Sequence, residues 1–233
     1  MVAIFKREFK SYFRGPLGFI IIAVFTLFSG MAFGMIFGSG SPAVQGVVNF
    51  MCTVVVFATP FITMRLISED RRQKVDQLLL TSPVSVSGIV LGKFFAAMAL
   101  YSVSLSALVI YPFIIYFYTM IDWLLYLYSI LGILLLGAVM ISIGMFISSL
   151  TESPVISAAI TFAVFLAVLL LGSYATGTSS ELLKTVNGAI SFIDRFYSFT
   201  SGISDLSDVV YMLSISALFT FLTVRSVERR RWA

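Results

Sequence analysis

Leu124–Leu150 reads LLYLYSILGILLLGAVMISIGMFISSL and contains no Asp, Glu, Lys or Arg. A helix of about 20 consecutive apolar residues suffices to cross a ~30 Å hydrocarbon core, so this block by itself predicts a transmembrane helix. Asp122 bounds it on one side and Glu152 on the other. Working outward, comparable blocks recur at Leu17–Phe37, Val47–Leu66, Phe94–Tyr118, Val155–Tyr174 and Val209–Val224. The last is short, with Asp208 and Arg225 as its limits. Composition agrees: 59% of residues are hydrophobic and 11% charged, against roughly 25% charged in soluble domains. So few charges could not cover a soluble surface. The predicted fold is all-α and integral to the membrane, with six transmembrane helices.

Lys and Arg set the orientation, because they resist translocation. Of the 15 such residues, all but Lys184 and Arg195 lie in three segments. The first holds Lys6, Arg7, Lys10 and Arg14, the second Arg65, Arg71, Arg72, Lys74 and Lys93, and the third Arg225, Arg229, Arg230 and Arg231. Six spans put all three on one side, which predicts cytoplasmic termini. Tyr12, Tyr118, Trp123, Tyr126, Tyr174 and Trp232 fall near span ends, as interfacial aromatic anchors do. The net charge of +4 therefore reports topology and not affinity for nucleic acid.

The chemistry is narrow. The chain has no histidine and a single cysteine, Cys52, inside an apolar block. The commonest general base and metal ligand is thus absent, and no internal disulfide can form. Gly88-Ile89-Val90-Leu91-Gly92-Lys93-Phe94 approaches a phosphate loop but has one residue too few between its glycines. It also places Phe94 where a magnesium-binding Ser or Thr is required. The expectation is a chain that binds no cofactor and is no enzyme by itself. The span interiors carry no charged residue of the kind on which ion-coupled transporters usually depend. Gly30, Gly34 and Gly38 recur at the spacing that lets membrane helices approach closely.

Four segments outside the spans carry information. Residues 1–16 alternate Phe5, Phe9 and Phe13 with Lys6, Arg7 and Lys10, which predicts an amphipathic helix in the membrane interface. Gly15-Pro16 ends it, and residues 17–233 form the six-span domain. Residues 69–82 predict a short mixed-charge helix, with Ser68 as its cap and Glu69 and Asp70 in its first turn. Arg72 and Asp76 are spaced to pair, Val75, Leu78 and Leu79 form an apolar stripe, and Ser82-Pro83 ends the helix. Two readings stand: a solvated helix resting on the membrane, or a docking element for a partner. Its mixed charge favours docking, since contact with lipid alone would select mainly Lys and Arg. The turn Thr151-Glu152-Ser153-Pro154 is either a capped helix start or a second contact beside that loop. Residues 175–208 form the longest outer connection, and Ile190, Phe192, Phe196 and Tyr197 predict short amphipathic helices dipping into the outer leaflet.

Several stretches together resemble the ABC-2 type family of ABC transporter permeases. They are Phe5-Lys6-Arg7-Glu8-Phe9, Ser68-Glu69-Asp70-Arg71-Arg72, Leu78-Leu79-Leu80-Thr81-Ser82-Pro83, Gly144-Met145-Phe146-Ile147-Ser148-Ser149-Leu150-Thr151-Glu152-Ser153-Pro154 and Asp208-Val209-Val210-Tyr211. Within that family the chain is most similar to the bacterial permease subunits called gliding-motility-associated. The resemblance implies a multi-pass permease subunit in the bacterial inner membrane. A separate ABC ATPase carries the ATP and magnesium, and a second permease chain, identical or related, completes the unit, with room for an extracytoplasmic accessory protein. It implies that the coupling helix is 69–82, including Glu69, Asp70, Arg71, Arg72, Lys74, Asp76, Leu78 and Leu79. The turn with Glu152 is then the second contact, and the helix with Phe5, Lys6, Arg7, Glu8, Phe9 and Lys10 also meets the ATPase. Ser180–Ser201 would hold re-entrant outer helices, and ATP-driven closure of the ATPase would open an outward path for export. A non-transporting scaffold or signalling subunit driven by the same ATPase is the alternative, and a secondary transporter a more distant one. Spans with so few polar groups point toward a lipid-like or amphipathic cargo, or a peptide moving at the dimer seam.

Overall fold

The computed structural model describes residues 1–38, 44–73, 85–177, 191–203 and 205–231. Every regular element among them is helical. In chain order they are α1 (Val2–Arg14), α2 (Pro16–Gly38), α3 (Val44–Thr63), α4 (Ser68–Arg72) and α5 (Val86–Ser104). A 3-10 segment at Leu105–Val109 joins α5 to α6 (Ile110–Tyr116), followed by α7 (Trp123–Leu150), α8 (Pro154–Gly177), α9 (Phe192–Ser201) and α10 (Leu206–Arg231). Six spans long and apolar enough to cross a membrane come from α2, α3, the α5–α6 unit, α7, α8 and α10. The chain is a multi-pass membrane protein.

The third span is continuous in hydropathy but not in backbone. Pro112 lies in α6; it has no N–H to bond to the carbonyl of Leu108, and its ring crowds that carbonyl. The helix tightens into the 3-10 segment just before it. In hydrocarbon a freed carbonyl needs another donor, and the Tyr126 hydroxyl supplies it, donating to the Leu108 oxygen at 3.1 Å. The same span begins at Val86, well before the apolar block at Phe94, because the Ser85 hydroxyl caps it by accepting from the Gly88 amide at 3.2 Å. The final helix also exceeds its apolar block, running to Arg231.

α7 is the central strut: 72% of its most apolar window is buried, against 22% for α2 and 17% for α8. It packs on α3, α5, α8, α9 and α10. Lipid tails are as apolar as side chains, so such helices hold together by close approach and hydrogen bonding. A Cβ on Gly137 would lie 2.1 Å from Tyr101 Cε1, so the ring of Tyr101 lies directly over the α7 backbone. The Tyr101 hydroxyl donates to the Ile133 carbonyl at 2.7 Å. Nearer one end, Gly144 receives Thr63 of α3 in the same way. By contrast a Cβ on Gly34 or Gly38 would meet no described atom within 4 Å, and one on Gly30 only the Tyr111 hydroxyl at 3.9 Å.

Gly137→Val should overpack the α7–α5 contact, at a cost of about 1–3 kcal/mol. A lower melting temperature in detergent, relative to the unsubstituted chain, is the expected readout.

Candidate functional site

Lys6, Arg14, Arg65 and Lys93 lie at one end of the bundle, its basic face. α1 lies across it, packed on α2 and α5. Its inward face is Ile4–Glu8–Tyr12, adjacent to the Phe5–Phe9–Phe13 ladder that the sequence makes conspicuous. Ile4 is buried against Gly92, where a Cβ would lie 3.0 Å from Ile4 Cγ2. The Tyr12 hydroxyl donates to the Ile62 carbonyl at 3.3 Å, and burial pushes its pKa well above the phenol range, aided by Glu8 and Glu69. Phe5 stacks on Phe9 at a ring separation of 5.8 Å, Phe9 meets Phe13 at a tilt at 5.0 Å, and Phe13 meets Phe19 of α2 edge-on. Lys6, Arg7 and Lys10 point outward and are exposed.

Glu8, the single acid of α1, reaches Lys93. Because α5 starts at Val86, Lys93 falls on its buried ladder with Val86, Ile89, Val90 and Ala97. Its side chain is 3% exposed. The ammonium sits 3.2 Å from Glu8 Oε1 and 2.7 Å from Asp70 Oδ2 of α4. Arg7 Nη2 lies 2.6 Å from the same Glu8 oxygen, so two cations face two carboxylates. An unpaired buried ammonium would cost several kcal/mol, and this hub satisfies it with acids from two other segments. Burial pushes the Glu8 carboxyl upward, but Lys93 and Arg7 together outweigh it and hold the group below its ordinary value of 4.5.

α4 is fixed from the other side by α7. Ser68 does not cap its helix: Ile67 holds the N-cap position, and the Ser68 hydroxyl bonds back to the Met64 carbonyl. The oxygen that receives the Ile67 and Ser68 amides, at 3.2 and 3.1 Å, is Ser148 Oγ of α7. Arg71 then pairs with Glu152 at 2.8 Å and donates to the Ser149 carbonyl at 3.3 Å. The four charges of this short helix therefore divide. Asp70 and Arg71 turn into the protein. Arg72 is exposed, and half-buried Glu69 meets Arg65 at 3.6 Å and Gln73 at 3.2 Å among the described residues. Lys74, Val75, Asp76, Leu78 and Leu79, and with them the Arg72–Asp76 pair, lie outside the described residues.

At the opposite face, α9 lies against α7. Ser191 caps it by accepting from the Asp194 amide at 3.1 Å, and Gly202, at φ 75°, ends it. Phe192, Phe196 and Phe199 are buried, while Tyr197 is half exposed. A Cβ on Gly132 would lie 2.7 Å from Phe199 Cβ, which places that ring nine residues into α7, ~14 Å along its axis at 1.5 Å per residue. Arg195 clamps α9 to α10 through Asp208 at 2.7 Å and lies 4.0 Å over the Tyr211 ring. Ile190 lies outside the described residues.

Sequence reasoning missed Lys93, Ser148 and the Arg195–Asp208 clamp. A weak signal existed for the first: Glu8 is the one acid in a basic helix, at the same spacing as Ile4 and Tyr12. No local pattern marks Ser148. Residues 1–181 match the ABC-2 type transporter family, a stretch that contains the whole of the basic-face hub. The match identifies the family and no subgroup of it. No curated protein matches the chain.

Lys93→Ala should destabilise the chain by about 3–5 kcal/mol, because it leaves Glu8 and Asp70 facing each other without their shared cation. The neutral triple variant Glu8→Gln, Lys93→Met, Asp70→Asn should recover most of that loss in a thermal melt. The pH dependence has a defined sign. Glu8 is depressed in the folded state, so its contribution is complete above the ordinary value of 4.5 and is lost as pH falls through the lower folded value. Melting temperature in detergent should fall over that acid window, and the slope should be shallower in Glu8→Gln.

Proposed function

This chain belongs to the ABC-2 type transporter family, and from that membership we propose that it is a permease subunit driven by a separate ATPase docked on its basic face. That face is then cytoplasmic, in keeping with the Lys and Arg distribution, and both termini lie on that side of a bacterial inner membrane. The ATPase partner binds ATP and magnesium. A second permease chain completes the transport path, and movement is outward.

The observation that supports this reading most is the convergence of α1, α4 and the Thr151–Ser153 turn on one surface. Lys93 ties α1 and α4 to α5, and Arg71 and Ser148 tie α4 to α7. A push on α4 would therefore act on the ends of two spans and on the interfacial helix together. The division of charge on α4 supports a division of roles. Glu69 and Arg72, with the remainder of 69–82, meet the ATPase; Asp70, Arg71 and Glu152 carry the load inward. Phe192, Phe196 and Tyr197 belong to an outer cap.

Reversing both outward charges, Glu69→Lys with Arg72→Glu, should weaken copurification with the ATPase by about tenfold or more. The melting temperature of the lone chain should fall only slightly, since Arg72 is exposed and the Arg65–Glu69 pair that is lost is a surface pair worth about 0–1 kcal/mol. Unchanged association and unchanged ATP hydrolysis in the doubly reversed variant would remove α4 from the docking surface.

A further inference from the structure

Between α2 and α3 lies a groove of about 710 Å³. Ile20, Val24 and Phe28 form one wall, and Val54, Phe57 and Phe61 the other. Phe57 and Phe61 are 46% and 55% exposed, so the groove opens sideways, toward where lipid would lie. The lining runs from Leu17 to Phe28 on α2 and, on the other side, from Arg65 in the turn after α3 back to Phe50 of α3. At 1.5 Å per residue these are ~17 and ~23 Å, about one leaflet or slightly more of a ~30 Å core. The groove therefore starts at the basic face and ends near mid-membrane.

One charged residue lines it, Arg65, at the basic end. Among the described residues Arg65 makes a single ion pair, through Nε to Glu69 at 3.6 Å, and its side chain is half exposed. A guanidinium presents a planar fork that fits phosphate oxygens in pairs. The Tyr12–Ile62 hydrogen bond also fastens the last turn of α1, which ends on Arg14, to this end of α3. An apolar trough with a cationic rim at interface depth has the charge and shape of a lipid with an anionic head. A second copy of the chain seated there would bury Arg65 against apolar walls, with only Glu69 to compensate it, at a desolvation cost.

We propose that this groove holds one anionic phospholipid of the leaflet on the basic side, with an acyl chain between α2 and α3 and its phosphate on Arg65. Glu69 competes with the phosphate for the guanidinium, so lipid occupancy and the Arg65–Glu69 contact oppose each other.

Native mass spectrometry of the full chain in detergent tests this. The chain is titrated with dioleoyl phosphatidylglycerol or with phosphatidylcholine and phosphatidylethanolamine of the same chains. One phosphatidylglycerol should bind about tenfold more tightly than either, because all three lipids carry the phosphate but the other two also carry a head-group cation that offsets its pull on Arg65. Arg65→Gln should abolish that preference, Glu69→Gln should strengthen phosphatidylglycerol binding, and Ala58→Trp should block all three lipids. The gain expected from Glu69→Gln cannot come from misfolding. An unchanged preference in Arg65→Gln, no gain in Glu69→Gln, or undiminished binding in Ala58→Trp would each overturn the proposal. So would a Phe57→Cys chain that forms a disulfide with a second copy, since that places another protein in the groove. No ATPase is present, so the outcome does not depend on the docking assignment.

Discussion

The buried ammonium of Lys93 sets the arrangement of the basic face. A charge with 3% exposure can stay in place only if carboxylates come to it. Those carboxylates, Glu8 and Asp70, belong to segments that precede α5 in the chain and are separated from each other by two spans. α5 is therefore fully satisfied at its basic end only when α1 and α4 have both docked. Arg7 completes the balance at Glu8, so the hub is electrically neutral although each member is charged. The constraint turns three separate segments into one surface.

That surface has an inside and an outside. On α4 the inward charges are consecutive, Asp70 and Arg71, yet they serve different helices: one reaches α5, the other the end of α7. A five-residue helix cannot hold its shape by internal hydrogen bonds alone, and here its shape comes from what it is tied to. Ser148 receives both of its leading amides. The result is a short element tied to both α5 and α7, with Arg72 left exposed.

The spans were legible in the sequence because membrane thickness dictates the length of an apolar block, and length survives without any knowledge of neighbours. What was not legible depends on residues far apart in the chain. Lys93 beside Phe94 reads as a span boundary, since charges usually stop an apolar run; its burial depends on Glu8 and Asp70. Ser68 before Glu69 and Asp70 has the local pattern of a cap, but Ser148, from another helix, takes that place. The Phe5–Phe9–Phe13 ladder is the conspicuous stripe of α1, while Ile4, Glu8 and Tyr12 do the packing. α10 outruns its apolar block because Asp208 at its start is paired with Arg195, and long basic side chains near a helix end can reach the interface. Local pattern thus gave the spans, and pairings across the chain decided which polar residues face inward.

The two faces of the bundle are built differently but share one strut. At the basic face, segments are held by ions and hydrogen bonds around Lys93, Arg71 and Ser148. At the opposite face, α9 is held by aromatic rings pressed on Gly132 and by the Arg195–Asp208 clamp. α7 touches both: Ser148 and Ser149 at one end, Gly132 toward the other. Between them Gly144 and Gly137 take Thr63 of α3 and Tyr101 of α5 at distances that leave no slack. A packed contact without slack cannot deform gradually; it shifts as a unit or repacks. α7 cannot slide relative to α4 without straining the Ser148 bonds, nor relative to α9 without lifting Phe199 off Gly132. Displacement at the basic face therefore has a direct mechanical route to the aromatic cluster of α9 at the opposite face, through a helix whose glycines make the contacts close.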